Sequence, residues 1–292
     1  MTRIGLAIDD RDWHARALLR AFAPLSATVT PFRLADTAFD TGHPYGLAIP
    51  GFDDTLPDAV LVRSISAGTF EEVTRRLGIL HALRELGLPV WNDARAIERC
   101  VDKSTTSFLL AQAGIATPPT WAVEGLPAAV TIAQRECTKG PLVLKPLFGS
   151  QGRGLRLIAT PRDLPPPETV GGVYYLQRYL PTGPHLFQDH RLFVCAGEVV
   201  AAMTREADNW VTNVRQGAQP RPFSPDATLI DLATSAATCV AAAYAGVDIL
   251  VDRDNRPWVL EVNSMPGWKG LQRVSKASIA SHIASSLLAT LR

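Results

Sequence analysis

Apolar and polar positions alternate in blocks along the first third of the chain. RIGLAI and DAVLVRSI are apolar runs of strand length, and PVWN is a shorter one. WHARALLRAF and TFEEVTRRLGILHALRELG instead carry apolar residues at helical spacing, and the second segment ends at Gly87. Strands that alternate with helices predict a small parallel sheet with helices on its faces. No G-x-G-x-x-G follows the first strand, so this unit is not an obvious dinucleotide site.

The rest of the chain predicts shorter elements of mixed type. We expect one helix over DARAIERCVDKSTTSFLLAQAG, which stops at Gly114, and an Ala-rich helix from about Asp226 to Ala245. RLFVCAGEVVAAMTR and VDILVDRDNRPWVLEVN have the pattern of hairpins that turn at Ala196-Gly197 and at Asp254-Asn255. The predicted fold class is therefore α/β (α+β).

Proline and glycine positions divide the chain into units. A proline run and a Gly-Gly pair, from Pro165 to Gly172, interrupt the chain before the extended segment YYLQRYL. A change of pattern near Asn92 marks an earlier boundary. These features predict an N-terminal α/β domain over 1–92, a central unit over 93–172 and a C-terminal unit over 173–292.

The composition narrows the class of protein. Hydrophobic residues make up 47% of the 292 positions and charged residues 20%, which is typical of a soluble folded protein. The 29 Lys and Arg residues against 28 Asp and Glu give a formal charge of +1, which argues against a nucleic-acid or anionic-membrane partner. The stretch from Leu232 to Val247 is short for a membrane span, and the four cysteines form no CxxC pair. We expect a cytoplasmic protein without a zinc site or disulfide framework.

The last predicted hairpin concentrates polar side chains. A turn centred between Asp254 and Asn255 places Asp248 opposite Glu261, and strand periodicity puts Asn263 on the same face as Glu261. Two carboxylates and an amide oxygen in an apolar sheet are costly unless a cation binds them, and such oxygen ligands suit Mg²⁺. The alternative is that these residues lie at strand ends in solvent or pair with arginines.

Two lysines are candidates for binding phosphate. Lys145 follows the apolar run LVL and opens onto PLFGSQGRG, a loop whose backbone N–H groups can bind phosphate oxygens, with Ser150, Gln151 and Arg153 as further donors. The loop does not match the G-x-x-x-x-G-K-[ST] pattern, and a Gly-rich hairpin turn is the alternative. Lys103 lies within the predicted helix and would, considered alone, be a solvated surface lysine.

These features occur in a specific order. D-K on a helix, V-L-K-P before a Gly-rich loop, D-x-R, A-G-V-D and E-V-N-x-x-P-G follow one another along the chain. In this the chain resembles the ATP-grasp superfamily, and within it the RimK-type carboxylate–amine ligases, which add glutamate or a related amino acid. The resemblance covers roughly residues 90–285, and the first unit loosely matches the small parallel-sheet domain that precedes ATP-grasp modules. It implies an ATP-grasp fold with an N-terminal pre-ATP-grasp domain.

The resemblance also implies roles for individual residues. Those expected to bind ATP are Lys103, Lys145, Gly149, Ser150, Gln151, Gly152, Gln177, Arg178, Tyr179, Leu180 and, in place of the family's ribose-binding acid, Asp189. Those expected to hold Mg²⁺, with Mn²⁺ as an alternative ion, are Asp248, Glu261 and Asn263. Those expected near the transferred phosphoryl group or the acyl-phosphate are Arg191, Arg205 and Asn213. For Arg205, a surface pair with Glu206 or Asp208 is the alternative.

The implied reaction is the ATP-dependent formation of an amide. A carboxylate attacks the γ-phosphate of ATP, and an amine converts the resulting acyl-phosphate to an amide. The implied substrates are a small-molecule carboxylate and an amino acid, with L-glutamate expected, and a homo-oligomer is an open alternative to a monomer. A protein or peptide tail as acceptor and a catalytically inactive nucleotide-binding module are the competing interpretations.

Two positions depart from the family pattern. RimK-like ligases commonly have P-G-L-E-G near the C-terminus, whereas this chain has Trp268 and Lys269 within P-G-W-K-G. We hypothesise that these two side chains reshape the pocket for an acidic or aromatic substrate. Arg63, at the end of VLVR, is a candidate anchor for a substrate carboxylate, with an ordinary surface arginine as the alternative.

Overall fold

The computed structural model describes residues 1–149, 152–182 and 187–291. The strands in chain order are β1 (Thr2–Ala7), β2 (Ala27–Phe32), β3 (Ala38–Phe39), β4 (Leu47–Ala48), β5 (Ala59–Val62), β6 (Val90–Trp91), β7 (Thr120–Glu124), β8 (Leu142–Lys145), β9 (Arg156–Ile158), β10 (Val173–Arg178), β11 (Phe187–Cys195), β12 (Glu198–Ala207), β13 (Gln219–Pro222), β14 (Tyr244–Val251) and β15 (Pro257–Asn263). The helices are α1 (Trp13–Phe22), α2 (Phe70–Glu85), α3 (Ala94–Val101), α4 (Lys103–Gln112), α5 (Leu126–Glu136), α6 (Ala227–Cys239), α7 (Lys269–Gln272) and α8 (Ile279–Ala289).

The N-terminal lobe is built on a parallel sheet. Its strands lie in the order β2, β1, β5, β6, and every neighbouring pair is parallel, which confirms the predicted sheet. The segment ATVTPF of β2 was not expected as a strand, because its threonines and its proline weaken the apolar pattern. Asp12 caps α1 and Thr69 caps α2, so both helices begin where side-chain oxygens accept their first N–H groups.

Two antiparallel sheets follow the parallel one. The central sheet has the order β7, β10, β8, β9 and packs against α5. The C-terminal sheet has the order β13, β12, β11, β14, β15, and α6 covers one of its faces. The predicted division at residue 172 falls immediately before β10, which pairs with β7 and β8 in the central sheet. The three-unit division itself stays a prediction.

Two predicted helices differ from the observed ones. The segment expected as one helix over 93–114 forms α3 and α4, because Asp102 has an extended backbone and its carboxylate caps α4. Lys103 therefore begins a helix instead of lying in the middle of one. The Ala-rich helix ends at Cys239 and not at Ala245, because Tyr244 already starts the buried strand β14.

The hydrophobic core joins the N-terminal lobe to the C-terminal sheet. Ile4 of β1 and Leu18 of α1 share one buried cluster with Phe193 of β11, Tyr244 of β14 and Ile283 of α8. The two parts therefore pack as one body, and the groove between them is fixed by apolar contacts. No helix of the described residues is long and apolar enough to cross a membrane.

Candidate active site

The predicted pairing of Asp248 with Glu261 is confirmed, although the turn differs from the expected one. Val251 pairs with Pro257, so the hairpin is centred on Asp254 and not between Asp254 and Asn255. A regular ladder from that turn would place Leu260 opposite Asp248. A β-bulge between the turn and the site shifts the register by one residue and brings Glu261 opposite Asp248 instead.

The β11–β12 hairpin turns at Ala196-Gly197 as predicted and contains a second bulge. A regular ladder from the Cys195–Glu198 pair would place Gln188 across from Arg205. The register shift at Phe193/Val194 makes Asp189 the partner of Arg205. Both bulges therefore change which charged side chains face each other across the strands.

Four charged side chains on this sheet form a continuous ion-pair chain. Arg191 donates from Nε and Nη2 to the two carboxylate oxygens of Asp248, each at 2.6 Å. Arg205 Nη2 lies 3.1 Å from Asp248 Oδ2, and the same guanidinium binds Asp189 through two hydrogen bonds. Arg205 and both of its acidic partners are buried. These ion pairs connect charged side chains of the three neighbouring strands β11, β12 and β14.

Burial and pairing act against each other in this group. Burial disfavours the charged forms, but Asp189 and Asp248 raise the pKa of Arg205. Burial likewise disfavours the carboxylate of Asp248, but Arg191 and Arg205 lower its pKa. Arg205 and Asp248 are therefore charged near neutral pH. The expected alternative for Arg205 is wrong, because Glu206 pairs with Arg221 at the surface instead.

The three predicted metal ligands lie on neighbouring strands, in part with other partners. Asp248 pairs with arginines, as the alternative interpretation expected, whereas Glu261 has no ion-pair partner among the described residues. Asn263 pairs with Gly246 in the ladder, and its side-chain Nδ2 is buried with no hydrogen-bond partner in the described part of the chain. Those described parts hold no cluster of three or more acidic, His or Cys side chains at metal-binding spacing. The predicted ligands Asp248, Glu261 and Asn263 supply two carboxylates and one amide oxygen, which are donors suited to a hard divalent cation.

Both candidate phosphate lysines line the same cavity as these ligands. Lys103 donates from Nζ to the backbone oxygens of Gly149 (2.8 Å) and Leu147 (3.3 Å), so it holds the start of the Gly-rich loop. Burial lowers the pKa of Lys103, and burial lowers the pKa of Lys145 to about 8 even though Glu261 raises it. Ser150 and Gln151 of the predicted loop lie outside the described residues, and Gly152 lines the cavity.

The predicted adenine linker runs from the end of β10 along the cavity. Gln177, Arg178, Tyr179 and Leu180 all line it. The Arg178 guanidinium, however, turns toward α5, where it binds the buried Glu136 carboxylate at 2.7 Å and the Gly140 carbonyl at 2.6 Å. Arg178 therefore fixes the linker to the central sheet, and in this structure its charge is already paired.

The N-terminal lobe closes one end of the cavity. His14 of α1 accepts the backbone N–H of Trp268 at Nε2 (3.1 Å), and its Nδ1 lies 2.8 Å from Asp12 Oδ2. Burial, together with the nearby Arg63, lowers the pKa of His14, so the neutral ring carries its proton on Nδ1. Arg63 lies over the Trp268 ring, 5.2 Å from its centroid, and donates to the Met265 carbonyl at 3.2 Å.

Trp268 is buried in the core, whereas its neighbour Lys269 is exposed to the cavity. Trp268 is 0% exposed and packs edge-on against Phe193 in the core. The Trp268 ring lies beneath the Arg63 guanidinium, and the hypothesis that Trp268 and Lys269 reshape the pocket for an acidic or aromatic substrate stays a prediction. Lys269 is exposed and lines the cavity.

Trp210 and Arg273 line the cavity and were not predicted as site residues, whereas Asn213 was predicted. Trp210 packs edge-on against Tyr179, with ring centroids 6.2 Å apart, and so connects the linker to the segment after β12. Asn213, a predicted catalytic residue, lines the cavity but also caps a short helical turn by accepting from Arg215 N–H at 2.9 Å. Arg273 directly follows α7 and lies four residues after Lys269, a spacing that brings side chains to the same side of a helix. That spacing was the one sequence signal available for it.

The cavity has a strongly cationic lining. Its volume is about 580 Å³. The basic residues that line it are Arg63, Lys103, Lys145, Arg153, Arg178, Arg191, Arg205, Arg215, Lys269 and Arg273. The acidic ones are Asp12, Asp189, Asp248 and Glu261. Such a lining suits polyanions, and triphosphates and carboxylates are both in that class.

Comparisons with known proteins agree with this geometry. The RimK-like ATP-grasp domain matches residues 100–287. A tetrahydromethanopterin:alpha-L-glutamate ligase of Methanococcus maripaludis is 34% identical over 233 residues, covering 78% of this chain and 77% of that protein. The enzyme of the same name in Methanosarcina acetivorans is 31% identical over 318 residues, covering 93% and 94%. The alpha-aminoadipate–LysW ligase LysX of Saccharolobus solfataricus is 29% identical over 210 residues, covering 68% and 74%.

Solved structures show the same fold. The ATP-grasp ligase PsnB complexed with a minimal precursor superposes with a TM-score of 0.77 at 20% identity, over 99% of both chains. A RimK domain ATP-grasp protein from Sphaerobacter thermophilus superposes with a TM-score of 0.70 at 21% identity, over 98% of this chain and 100% of that one.

Proposed function

This chain belongs to the RimK-like ATP-grasp family and is an ATP-dependent carbon–nitrogen ligase, and we propose that it adds L-glutamate to a small-molecule carboxylate. One observation carries the proposal most directly. Arg191, Asp248 and Glu261 on one sheet face lie in the same cavity as Lys103 and Lys145. Glutamate as the amine and a small molecule as the acceptor are inferred from the names of the relatives.

The proposed reaction has two steps. A substrate carboxylate oxygen attacks the γ-phosphorus of ATP, the bond to the ADP oxygen breaks, and an acyl-phosphate forms. The glutamate nitrogen then attacks the acyl carbon, inorganic phosphate leaves, and the amine gives up its proton. Catalysis of both steps depends on positioning and charge stabilisation, which Lys103, Lys145 and the arginines on the sheet provide.

We assign the metal to the β14–β15 hairpin. Glu261, Asn263 and Asp248 would hold Mg²⁺, with Mn²⁺ as an alternative, through carboxylate oxygens and the amide oxygen of Asn263, and the lack of an ion-pair partner for Glu261 among the described residues supports this set. The ion would neutralise charge on the phosphates of ATP. Arg191 and Arg205, which hold Asp248 and face the cavity, are positioned to bind the transferred phosphoryl group, and we assign Asn213 to the same region.

ADP release provides the first test. Purified protein is incubated with Mg·ATP, a panel of amino acids and a small-molecule extract. Tetrahydromethanopterin and coenzyme γ-F420-2, the acceptors in the names of two glutamate ligases that the chain resembles, serve as defined acceptors. We expect release that requires L-glutamate, and a product whose mass exceeds that of the acceptor by one or more glutamyl residues.

Two variants make this test specific. Glu261→Gln removes a proposed ligand charge and is expected to lower kcat/KM by more than about 100-fold. Glu206→Gln removes a carboxylate that pairs with Arg221 at the surface and is expected to keep the activity. Release that needs no amino acid, or glutamylation found on protein only, would contradict the proposal.

A further inference from the structure

We propose that Arg63, Lys269 and Arg273 form a subsite that binds an anionic group of a substrate, a carboxylate or a phosphate, away from the reacting atoms. The proposal deepens the function given above and rests on it. It names a substrate class, because the substrate that uses this subsite must carry an anionic group in addition to its reacting carboxylate or amine.

The topology of the N-terminal lobe favours a ligand at this place. β1 lies between β2 and β5, so the chain leaves β1 toward one side of the sheet and returns on the other side. In open parallel sheets, ligands bind outside the carboxyl ends of the strands at such a switch point. Arg63 directly follows β5, and Asp12 and His14 follow β1 at the same edge. All three line the cavity.

The three cations are available for an anion. Lys269 and Arg273 are exposed, and no acidic side chain of the described residues lies within ion-pair distance of either. Arg63 uses Nη1 for the Met265 carbonyl, while its buried Nε has no hydrogen-bond partner in residues 1–149, 152–182 and 187–291. The stacking of Arg63 on Trp268 fixes the plane of its guanidinium and reduces the entropy lost on binding.

The nearest carboxylate does not neutralise this charge. Asp12 accepts from Ala15 N–H at Oδ1 and from His14 at Oδ2, each at 2.8 Å. His14 itself is neutral, because burial and the nearby Arg63 lower its pKa. Arg63 and Lys269 both lie close enough to His14 to lower its pKa, while Asp12, the carboxylate beside them, is engaged by hydrogen bonds. Elsewhere in the cavity, Arg191 and Arg205 are paired with Asp248, and the lysines without a carboxylate partner among the described residues, Lys103 and Lys145, are the ones proposed to bind the phosphates of ATP.

The proposal thus gives the cavity two sets of anion-binding residues, the lysines assigned to the phosphates of ATP and the cluster of Arg63, Lys269 and Arg273. L-glutamate, which has two carboxylates, and an acceptor with a second carboxylate or a phosphate both fit this arrangement. The shared chemistry is an anionic group held by a guanidinium–ammonium cluster.

Binding experiments test the subsite without turnover. The protein is first saturated with Mg·AMPPNP, so that the phosphate-binding end is occupied. Glutarate, its monoamide glutaramate, and inorganic phosphate are then titrated by calorimetry. We expect glutarate to bind more tightly than glutaramate, and the double variant Lys269→Gln/Arg273→Gln to raise the glutarate Kd by at least about tenfold. Lys276→Gln removes a nearby exposed charge outside the cavity and is expected to leave the Kd unchanged.

Kinetics identify which substrate uses the subsite. A KM that rises for L-glutamate in the double variant, with little change in kcat, assigns the subsite to glutamate. A KM that rises only for the acceptor assigns it to the acceptor, and either result supports the proposal. Equal glutarate affinity in the double variant and the unaltered protein would overturn it. If the unaltered protein fails to release ADP but shows the charge-dependent glutarate binding, the ligase proposal fails and the subsite remains.

Discussion

Lys145 and Arg205 face the same cavity but respond to burial in opposite ways. Arg205 touches two carboxylates, which raise its pKa against the effect of burial. Lys145 has no carboxylate within ion-pair distance among the described residues, and burial lowers its pKa to about 8 although Glu261 raises it. The arginine is therefore a permanent charge, and the lysine is one whose charge depends on pH.

The first prediction concerns this lysine. Because the protonated amine is the form that binds phosphate, we expect the affinity of the free enzyme for Mg·AMPPNP to fall as the pH rises through about 8. In Lys145→Arg this fall is expected to disappear, since a guanidinium keeps its proton in this range. Calorimetric Kd values measured between about pH 6 and 10 check both results, with Lys276→Arg as the control. An unchanged profile in Lys145→Arg would contradict the assignment.

The same group contributes to the pH dependence of stability. Its folded-state pKa of about 8 lies below the value of about 10.4 for an unfolded lysine. Between these two values the unfolded chain binds more protons than the folded one, so the stability rises with pH across that window. Below about pH 8 both states are protonated, and Lys145 contributes no slope.

At the scale of secondary-structure elements, the break between α3 and α4 positions a phosphate ligand. Asp102 Oδ1 accepts from Ser104 N–H at 2.8 Å, and Oδ2 accepts from the Thr105 hydroxyl at 2.6 Å. Although burial opposes it, these hydrogen bonds lower the pKa of Asp102. The cap starts a new helix at Lys103, whose ammonium then reaches the Gly-rich loop.

The second prediction tests this cap. Asp102→Ala is expected to lower the free energy of unfolding by about 1–2 kcal/mol and to raise the KM for ATP several-fold, because Lys103 loses its fixed position. Asp226→Ala provides a matched control, since Asp226 caps α6 by accepting from Leu229 N–H at 2.9 Å. It should cost a similar free energy without raising the KM. Equal KM values in the two variants would show that the cap is only structural.

The two hairpins and the start of α4 show which features of the site the sequence alone can predict. The Asp248–Glu261 pair forms because a bulge offsets the different position of the turn, whereas both hairpins themselves follow from turn residues and alternation, which act over a few positions. The bulges and the Asp189–Arg205 pair do not, because a one-residue register shift depends on packing across the sheet. The start of α4 has a local signal, an Asp followed by Ser and Thr, but no Gly or Pro marks the break.

At the scale of the whole molecule, Asn92 joins the N-terminal lobe to the C-terminal sheet. Its Nδ2 donates to the carbonyls of Tyr244 (2.7 Å) and Ser264 (2.6 Å), and its Oδ1 accepts from Ala243 N–H at 2.6 Å. The side chain is fully buried. Such partners, far apart in sequence, could not be predicted from the chain's periodicity, and they hold the cavity's two walls in one arrangement.

The third prediction follows from these hydrogen bonds of the Asn92 side chain. Asn92→Ala leaves buried carbonyl and N–H groups unpaired, and we expect a loss of at least about 3 kcal/mol in the free energy of unfolding. Hydrogen exchange is expected to accelerate in both β5 and β14, because both lobes lose the same contact. Asn209→Ala, at an exposed position, is the control. Acceleration confined to one lobe would show that the two lobes are energetically independent.

The packing of α1 against α8 has a consequence for the synthesis of the protein. Leu18 and Phe22 of α1 are covered by Ile283 and Leu287 of α8, which the ribosome makes much later. Until α8 has emerged, the nascent chain must expose the apolar side of α1. We therefore expect the first lobe to reach its native packing only near the end of translation, with chaperones shielding α1 until then.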